Sequence, residues 1–260
     1  MYEVKSIATV NTYAHFHSSA RLIAESKEIG GQPQGMILTS LTAFMMEAYL
    51  NHCCQYIYDY HSRVHEFLDG HHKEILEILD ATPKTEKFND RIAVGTGYLN
   101  QFELLKTKLL SKYKKKNRGE PNKLLNPVEG GLNDFGAVDS SLRFAPLLKA
   151  KAVLLAIEES QESSTKKINV IQKLFKARDR LAHGKTEKVG SNKTQVKVSS
   201  NRDIVIDKTQ WQIDCLPELS KARFTETKEI IISIHEQLFK SEYPFLSMTT
   251  QLASISRVNI

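Results

Sequence analysis

Several classes of protein are disfavoured by what the 260-residue sequence lacks. No apolar run is long enough to span a membrane, and residues Met1–Lys5 are not followed by the apolar core of a signal peptide. Three cysteines, of which Cys53 and Cys54 are adjacent, make no disulfide framework. We therefore expect a cytoplasmic protein that has no membrane partner.

Recognisable metal and nucleotide motifs are also missing. Gly95 and Gly97 lack the preceding strand and the further glycine of a dinucleotide-binding turn. His61 and His65 have the spacing of a two-histidine zinc pair, but no HExxH sequence and no pattern for a third ligand accompanies them. The sequence therefore predicts no metal site and no cofactor, and these histidines are expected to be solvated on a helix.

The composition that is present is that of an ordinary folded chain with a basic balance. Hydrophobic residues make up 41% and charged residues 25% of the sequence, which is enough to bury a core. The formal charge of +6 and the isoelectric point near 9.0 favour acidic partners, including nucleic acid. Because many basic proteins bind no nucleic acid, the charge favours nucleic acid as a partner without selecting it.

Apolar residues recur at helical spacing along most of the chain, which predicts a mainly α protein. Predicted helices span residues 11–29, 36–62, 63–80, 98–116, 140–159, about 165–184 and 217–241. In the second of these, the expected core stripe consists of Ile37, Leu41, Phe44, Met45 and Ala48. The fold is predicted to be an up-and-down helical bundle that forms a single domain over residues 1–260.

Two stretches interrupt the helical pattern. Residues 117–139 are rich in glycine, proline and asparagine, and they predict a long loop insertion. Alternating residues at 195–199 and 203–207 predict a small β-hairpin between the last two long helices. Residues 211–214 are a candidate third short strand, so that the predicted β excursion spans about 192–214.

The helix predicted over about 165–184 has the best-marked end in the sequence. Its apolar stripe continues through Leu181, and Arg178 falls inside that stripe on a helical wheel. An unpaired arginine there would be costly, so Arg178 is expected to have an anionic partner or a wet cleft. Gly184 can adopt a left-handed cap conformation that stops the helix and leaves His183 accessible at its end.

This helix end resembles the Arg-x4-6-His motif of the HEPN superfamily, in which a polar residue usually follows the arginine. Arg178, Asp179 and His183 match that motif, and the string Arg-Leu-Ala-His-Gly is similar to the family's helix end. The string Glu-Ala-Tyr-Leu-Asn at 47–51 is similar to the first core helix of many HEPN proteins. The resemblance covers the helical parts of residues 11–184 and implies a HEPN-like bundle.

The resemblance implies a metal-independent endoribonuclease of a defence or toxin type. The ribose 2′-OH would attack the adjacent phosphate and give a 2′,3′-cyclic phosphate and a 5′-OH end. His183 would act as general acid or base, and Arg178 would stabilise charge on the phosphorane. Asp179 would orient the imidazole, although an i,i+4 helix pair explains it equally well. Glu47 and Asn51 could join this site, or they could be a surface carboxylate and a helix hydrogen bond.

Basic residues are the predicted RNA contacts. Residues 112–118 form the densest basic stretch, with Tyr113 available for base stacking. Lysines that complement a helix dipole at a solvated helix end are the alternative explanation. The residues expected to bind RNA are Lys112, Lys114, Lys115, Lys116 and Arg180.

The partners follow from the resemblance. This reaction often needs two proton-transfer groups, and a single motif supplies one polar pair. HEPN nucleases usually dimerise so that two motifs line one cleft. A homodimer is therefore implied, with an antitoxin or other regulatory protein as a further candidate partner. Two alternatives stay open: a non-catalytic HEPN-like module that binds RNA, a nucleotide or a protein, and a helical adaptor whose hairpin docks a partner.

The spacing of the motif sets a geometric test. In a straight α-helix, residues five apart are separated by about 140° and by a rise of about 7.5 Å. Arg178 and His183 of one chain could not then share one phosphate. The sequence therefore predicts that the helix unwinds after Leu181 or, alternatively, that each His183 works with the Arg178 of a second subunit.

Overall fold

The protein is mainly helical, as predicted. The structure, a computed structural model, describes residues 2–70, 86–111, 113, 120–183, 209–240, 244–245 and 248–257. No helix within these ranges is both long and apolar enough to cross a membrane. The elements in chain order are β1 (Tyr2–Val10), α1 (Thr12–Glu25), α2 (Gly31–Gly70), α3 (Glu86–Leu110), α4 (Pro121–Leu125), a 3-10 turn (Pro127–Glu129), α5 (Phe135–Leu142), α6 (Pro146–Ala156), α7 (Gln161–His183), α8 (Gln210–Asp214), α9 (Pro217–Phe239) and β2 (Met248–Arg257).

The chain forms two compact units, and α2, α7 and α9 contribute residues to both. The first unit draws on residues 1–46, 170–230 and 245–260, and the second on residues 47–169 and 231–244. The single domain expected from the sequence stays a prediction. Fully buried apolar side chains in the first unit include Ala20, Leu38, Met45 and Leu174; those in the second include Tyr49, Tyr58, Phe102 and Leu105.

Helix α2 begins earlier than its apolar pattern predicted. It starts at Gly31, whose φ of 62° lies in the left-handed region, and Pro33 follows in the first turn, where a missing N–H removes no helical hydrogen bond. The predicted continuation of this helix past residue 62 is confirmed as far as Gly70. A Cβ at position 35 would collide with the carbonyl oxygen of Cys215, so only glycine allows this close approach of two segments of the first unit.

The core face of α2 in the first unit differs from the predicted stripe. Met45 is buried as expected, but Ile37 and Phe44 are 39% and 42% exposed. Thr39 and Thr42 are buried instead, because their hydroxyl groups have internal partners. Thr42 donates to the Leu38 carbonyl at 2.7 Å, and the Thr39 hydroxyl lies 3.0 Å from that of Ser220. Because these hydroxyl groups are hydrogen-bonded, the two threonines can be buried, and the buried face of α2 includes them as well as apolar residues.

The predicted loop insertion at 117–139 is wrong for its described part, which contains α4, the 3-10 turn and the start of α5. Prolines begin the first two of these elements at positions where no N–H is needed. Asp134 caps α5, since its side chain accepts a hydrogen bond from the Ala137 N–H at 3.0 Å. Two prolines and the Asp134 cap therefore start helical elements in a stretch whose composition predicts a loop.

The helix predicted over 140–159 is also divided. Helix α5 ends at Leu142, its C-cap Arg143 has a left-handed φ of 55°, and α6 starts at Pro146. The Arg143 N–H donates to the Asp139 carbonyl at 2.6 Å, which closes the end of α5.

The third strand predicted at 211–214 is wrong, since these residues belong to the short helix α8. Thr209 and Gln212 form a capping box at its start, in which the Thr209 N–H donates to the Gln212 side chain at 2.8 Å. The predicted hairpin strands at 195–199 and 203–207 lie outside the described residues.

Strands β1 and β2 form an antiparallel pair that the sequence patterns did not predict. Tyr2 is opposite Arg257 and Val10 is opposite Met248. Lys5 pairs with Ser254 and Ser6 with Leu252, so Ala253 is an extra residue that forms a β-bulge. The bulge interrupts the alternation in β2, which explains why this segment shows no clear period in the sequence.

Candidate active site

Helix α7 carries the motif residues into the first unit. The predicted span of about 165–184 is close to the observed Gln161–His183. Ile171, Leu174, Phe175 and Ala177 are buried and fix the helix on one side. The stripe ends at Arg178, whose side chain is 25% exposed, so this guanidinium lies at the edge of the buried face.

Arg178 has the anionic partner that its position in the stripe required. Its Nε lies 3.1 Å from Oδ1 of Asp179, and its guanidinium carbon lies 5.3 Å from the centre of the Phe175 ring. The carboxylate and the aromatic face both stabilise a partly buried cation. Arg178 is therefore a partly buried cation whose charge is balanced by the carboxylate beside it.

His183 is exposed in the last turn of α7, and the helix is regular up to and including this residue. The prediction that the helix unwinds after Leu181 is therefore wrong for Ala182 and His183, whereas Gly184 lies outside the described residues. A histidine near a helix C-terminus complements the helix dipole, which favours continued helix. Arg178 and His183 of one chain thus diverge by about 140° around the helix axis.

Asp179 lies on the same side of α7 as His183. The two residues are four apart, which separates them by about 40° around the axis and by about 6 Å along it. The Asp179 side chain is 55% exposed and also contacts Arg178. Asp179 therefore contacts Arg178 and also lies on the side of the helix that carries His183.

Arg180 has a partner that the sequence analysis missed. Its Nη1 donates a hydrogen bond to Oδ2 of Asp214, the last residue of α8. Asp214 is buried, and its Oδ1 lies 3.2 Å from Nη2 of Arg223 in α9 and accepts from Gln210 Nε2 at 3.4 Å. Arg223 is also buried and donates to the Asp214 carbonyl. No local motif signals this cluster, because its two arginines lie 34 residues before and 9 after the carboxylate in the sequence.

The predicted accessory residues Glu47 and Asn51 belong to the second unit, whereas Arg178, Asp179 and His183 belong to the first. Glu47 is half-buried. The Asn51 Oδ1 accepts a hydrogen bond from Lys149 Nζ at 2.7 Å. The same Nζ lies 2.8 Å from Oδ2 of Asp139, and the Lys149 residue is only 1% exposed. Asn51 is therefore part of a buried charged network, which we call the Lys149 network.

Burial makes nucleophilic chemistry by the three cysteines unfavourable. Burial raises the pKa of the Cys54 thiol to about 12, against the lowering effect of nearby Lys149. Burial also raises the pKa of Cys53 and of Cys215. Because the thiolate is the reactive form, these three buried thiols are poor nucleophiles at neutral pH.

Four other described histidines stack on aromatic rings, namely His17, His52, His61 and His235. His61 is buried and stacks on Phe102 with 3.7 Å between ring centres, so the expectation that it is solvated is wrong; the His65 side chain lies outside the described part. Burial lowers the pKa of His52 and of His235 to about 4. Among the described side chains, no group of three or more His, Cys, Asp or Glu residues could hold a metal ion.

The predicted basic RNA contacts at Lys112, Lys114, Lys115 and Lys116 lie outside the described residues. Tyr113, which stands among them, is half-buried, and its N–H donates to the Leu110 carbonyl at 3.0 Å. RNA binding by these lysines stays a prediction.

Comparison with known proteins gives no relative for this chain. A scan against family models, a search of curated protein sequences and a search of solved structures each returned no match. The likeness to HEPN proteins therefore depends on the motif residues of α7 and on the string at 47–51.

Proposed function

We propose that the protein is a metal-independent endoribonuclease whose reaction takes place at the end of α7. The observation that supports this most is the exposed His183 in the last turn, with Asp179 one turn earlier on the same side. An accessible imidazole beside a carboxylate is a suitable proton-transfer group. The guanidinium of Arg178 supplies the planar set of donors that fits phosphate oxygens.

The reaction is an internal transfer of the phosphoryl group. The 2′-oxygen forms a bond to phosphorus while the bond between phosphorus and the 5′-oxygen breaks. A base accepts the proton of the 2′-OH, and an acid gives a proton to the departing 5′-oxygen. The products are a 2′,3′-cyclic phosphate and a 5′-OH end, and no water or metal is consumed. His183 serves as one of the two proton-transfer groups, and arginine stabilises charge on the phosphorane.

The regular helix through His183 supports a site that is built from two chains. Since Arg178 and His183 diverge by about 140°, the His183 of one chain acts with Arg178 of the partner subunit. Two symmetry-related α7 ends would also supply two imidazoles, one for each proton transfer. A homodimer is therefore part of the proposal.

The test is cleavage of mixed RNA by purified protein in excess EDTA. We expect cyclic phosphate ends, and we expect His183→Ala and Arg178→Ala each to lower the rate by at least about 100-fold. The matched control is His15→Ala, because His15 is an exposed histidine of α1 outside the motif. Dependence on added Mg²⁺, or equal loss in the His15→Ala variant, would contradict the mechanism.

Dimerisation can be tested with mixed chains. A heterodimer of a wild-type chain and a His183→Ala chain should lose well over half the activity if both motifs serve one cleft. A protein that is monomeric at micromolar concentration and still cleaves RNA would exclude the two-chain site.

A non-catalytic binding module is the second candidate, and the regular helix through His183 favours it. In this case Arg178, already paired with Asp179, binds RNA, a nucleotide or a protein without a nearby histidine of the same chain. The module predicts RNA affinity that depends on Arg178 but no cleavage in EDTA. The same preparations therefore distinguish the two functions.

A further inference from the structure

Arg180 is an exposed cation about one turn before His183 on the same side of α7. The two residues are three apart, which separates them by about 60° around the axis and by about 4.5 Å along it. Both are exposed, and the Arg180 side chain is 42% exposed. Within one chain, Arg180 can therefore approach the phosphate that His183 contacts, whereas Arg178 points away from it.

The side chain of Arg180 is anchored by a buried carboxylate. Its Nη1 donates to Asp214, which is held in turn by Arg223. Asp214 and Arg223 are 7% and 8% exposed, so this anchor lies in the protein interior. A guanidinium carries five N–H donors on three nitrogens, and the contact with Asp214 uses Nη1. The remaining donors are thereby presented at a defined place with less loss of side-chain entropy on binding.

The charge of this cluster also favours an anion. Two arginines surround one aspartate, which leaves one excess positive charge at the end of α7. Helix dipole effects and the contact with Asp214 alone would explain an arginine here without any ligand. The adjacent exposed His183, on the same face and outside the ion pair, makes a phosphate the ligand class that fits.

We infer that Arg180 is the phosphate-anchoring residue on the face of His183, and that Asp214 is its positioning residue. The inference rests on the proposed function for its substrate, an RNA phosphate, but it concerns binding and not the chemical step. It assigns to Arg180 the role of holding the phosphate within one chain and leaves Arg178 to the second subunit.

The test measures binding of a labelled single-stranded RNA whose riboses are 2′-O-methylated, so that it cannot be cleaved by 2′-OH attack. Fluorescence anisotropy gives the affinity at several salt concentrations. We expect Arg180→Gln to weaken binding about tenfold and to flatten the slope of log affinity against log salt by about 0.7, because one phosphate contact is lost. Unchanged affinity and slope in this variant would overturn the inference.

The matched control is Lys166→Gln. Lys166 is an exposed cation of the same helix and pairs with Glu162 at 2.6 Å, as Arg180 pairs with Asp214. It lies 14 residues before Arg180, a distance of about 21 Å along the helix. We expect less than a twofold change in affinity. An equal loss in both variants would show that binding follows net charge, which would overturn the inference.

Asp214→Asn gives a test in which the two explanations have opposite signs. The change makes the protein more positive, so charge alone predicts tighter RNA binding. Loss of the anchor predicts binding weaker by about threefold to tenfold, and recovery in Asp214→Glu, which keeps the carboxylate. Binding is compared well below the thermal midpoint of each variant. Tighter binding by Asp214→Asn would remove Asp214 from the proposed role, and Arg180→Gln still tests the anchor if this variant does not fold.

The outcome is separate from that of the ribonuclease proposal. A chain that binds through Arg180 but cleaves no RNA would contradict the ribonuclease and retain the anchor. A chain that cleaves RNA with His183 and binds equally well without Arg180 would contradict the anchor alone. A wild-type chain with no measurable affinity for the oligonucleotide would overturn the anchor.

Discussion

The end of α7 and the Lys149 network both place a cation beside a carboxylate, but they differ in exposure. Lys149 is 1% exposed and contacts both Asp139 and Asn51. At the end of α7, the side chains of Arg178 and its partner Asp179 are 25% and 55% exposed, and His183 is exposed as well. A buried ion loses its hydration and needs every partner to be in place, whereas an exposed ion keeps water as an alternative partner. Substitution should therefore affect stability in the Lys149 network and function at the end of α7.

The largest expected effect on stability is that of Lys149→Met. The change keeps the length of the side chain but removes the donor to Asn51 and to Oδ2 of Asp139, which keeps the Phe144 N–H on its Oδ1. The free energy of unfolding should fall by about 3 kcal/mol. Urea titration of the variant measures this loss. His183→Ala, at the exposed end of α7, should leave the same curve unchanged within about 0.5 kcal/mol.

A double variant sharpens this result. Asp139→Asn added to Lys149→Met removes the uncompensated carboxylate, so the double variant should recover part of the lost stability. A loss below about 1 kcal/mol in the single variant would contradict the idea that the Lys149 charge compensates a buried carboxylate.

The next effect concerns the pH dependence of stability in the second unit. Burial lowers the pKa of His52 and of His235 to about 4 from an ordinary value of 6.5, and the charge of His235 also lowers that of His52. The unfolded chain therefore binds more protons between about pH 6.5 and about pH 4. Stability should fall through this window as pH decreases, by on the order of 2 kcal/mol after allowance for the partial exposure of His52, and level off below it.

Urea midpoints across this pH range check the prediction. His235→Phe should flatten the fall, because phenylalanine keeps a ring to stack on Phe239, at a ring distance of 4.5 Å in the wild type, and has no proton site. An equally steep fall in this variant would assign the pH dependence to carboxylates instead.

The smallest effect is expected for the exposed pair of Lys166 and Glu162. Their side chains are 75% and 81% exposed, although their atoms approach to 2.6 Å. Glu162→Gln should change the free energy of unfolding by less than about 0.5 kcal/mol, as measured by urea titration. A loss comparable with that of Lys149→Met would mean that exposure does not separate the two kinds of ion pair.

Local patterns predicted helix α7 well and the contacts of its end poorly. Apolar residues recur at helical spacing because Ile171, Leu174 and Phe175 are buried on one side, and this spacing predicted the extent of the helix. The partner of Arg180 lies 34 residues away, and no periodic signal connects them. The same physical reason applies to β1 and β2, which pair with each other although they lie near opposite ends of the sequence.

Short-range capping explains two other errors. The capping box of Thr209 and Gln212 starts a helix where alternating residues suggested a strand. The cap of Asp134 and two helix-starting prolines organise a stretch whose composition suggested a loop. At this length scale, one side-chain hydrogen bond outweighs the average preference of the residues around it.

The close contact at Gly35 restricts which substitutions the protein tolerates at this position. A methyl group at this position would collide with the carbonyl oxygen of Cys215, which is the residue after Asp214. Any larger side chain would therefore displace the segment that carries the Asp214 carboxylate. Asp214 in turn orients Arg180. On the proposed role of Arg180, a substitution at this uncharged position would weaken RNA binding, and a search for functional variants confined to the charged residues would overlook it.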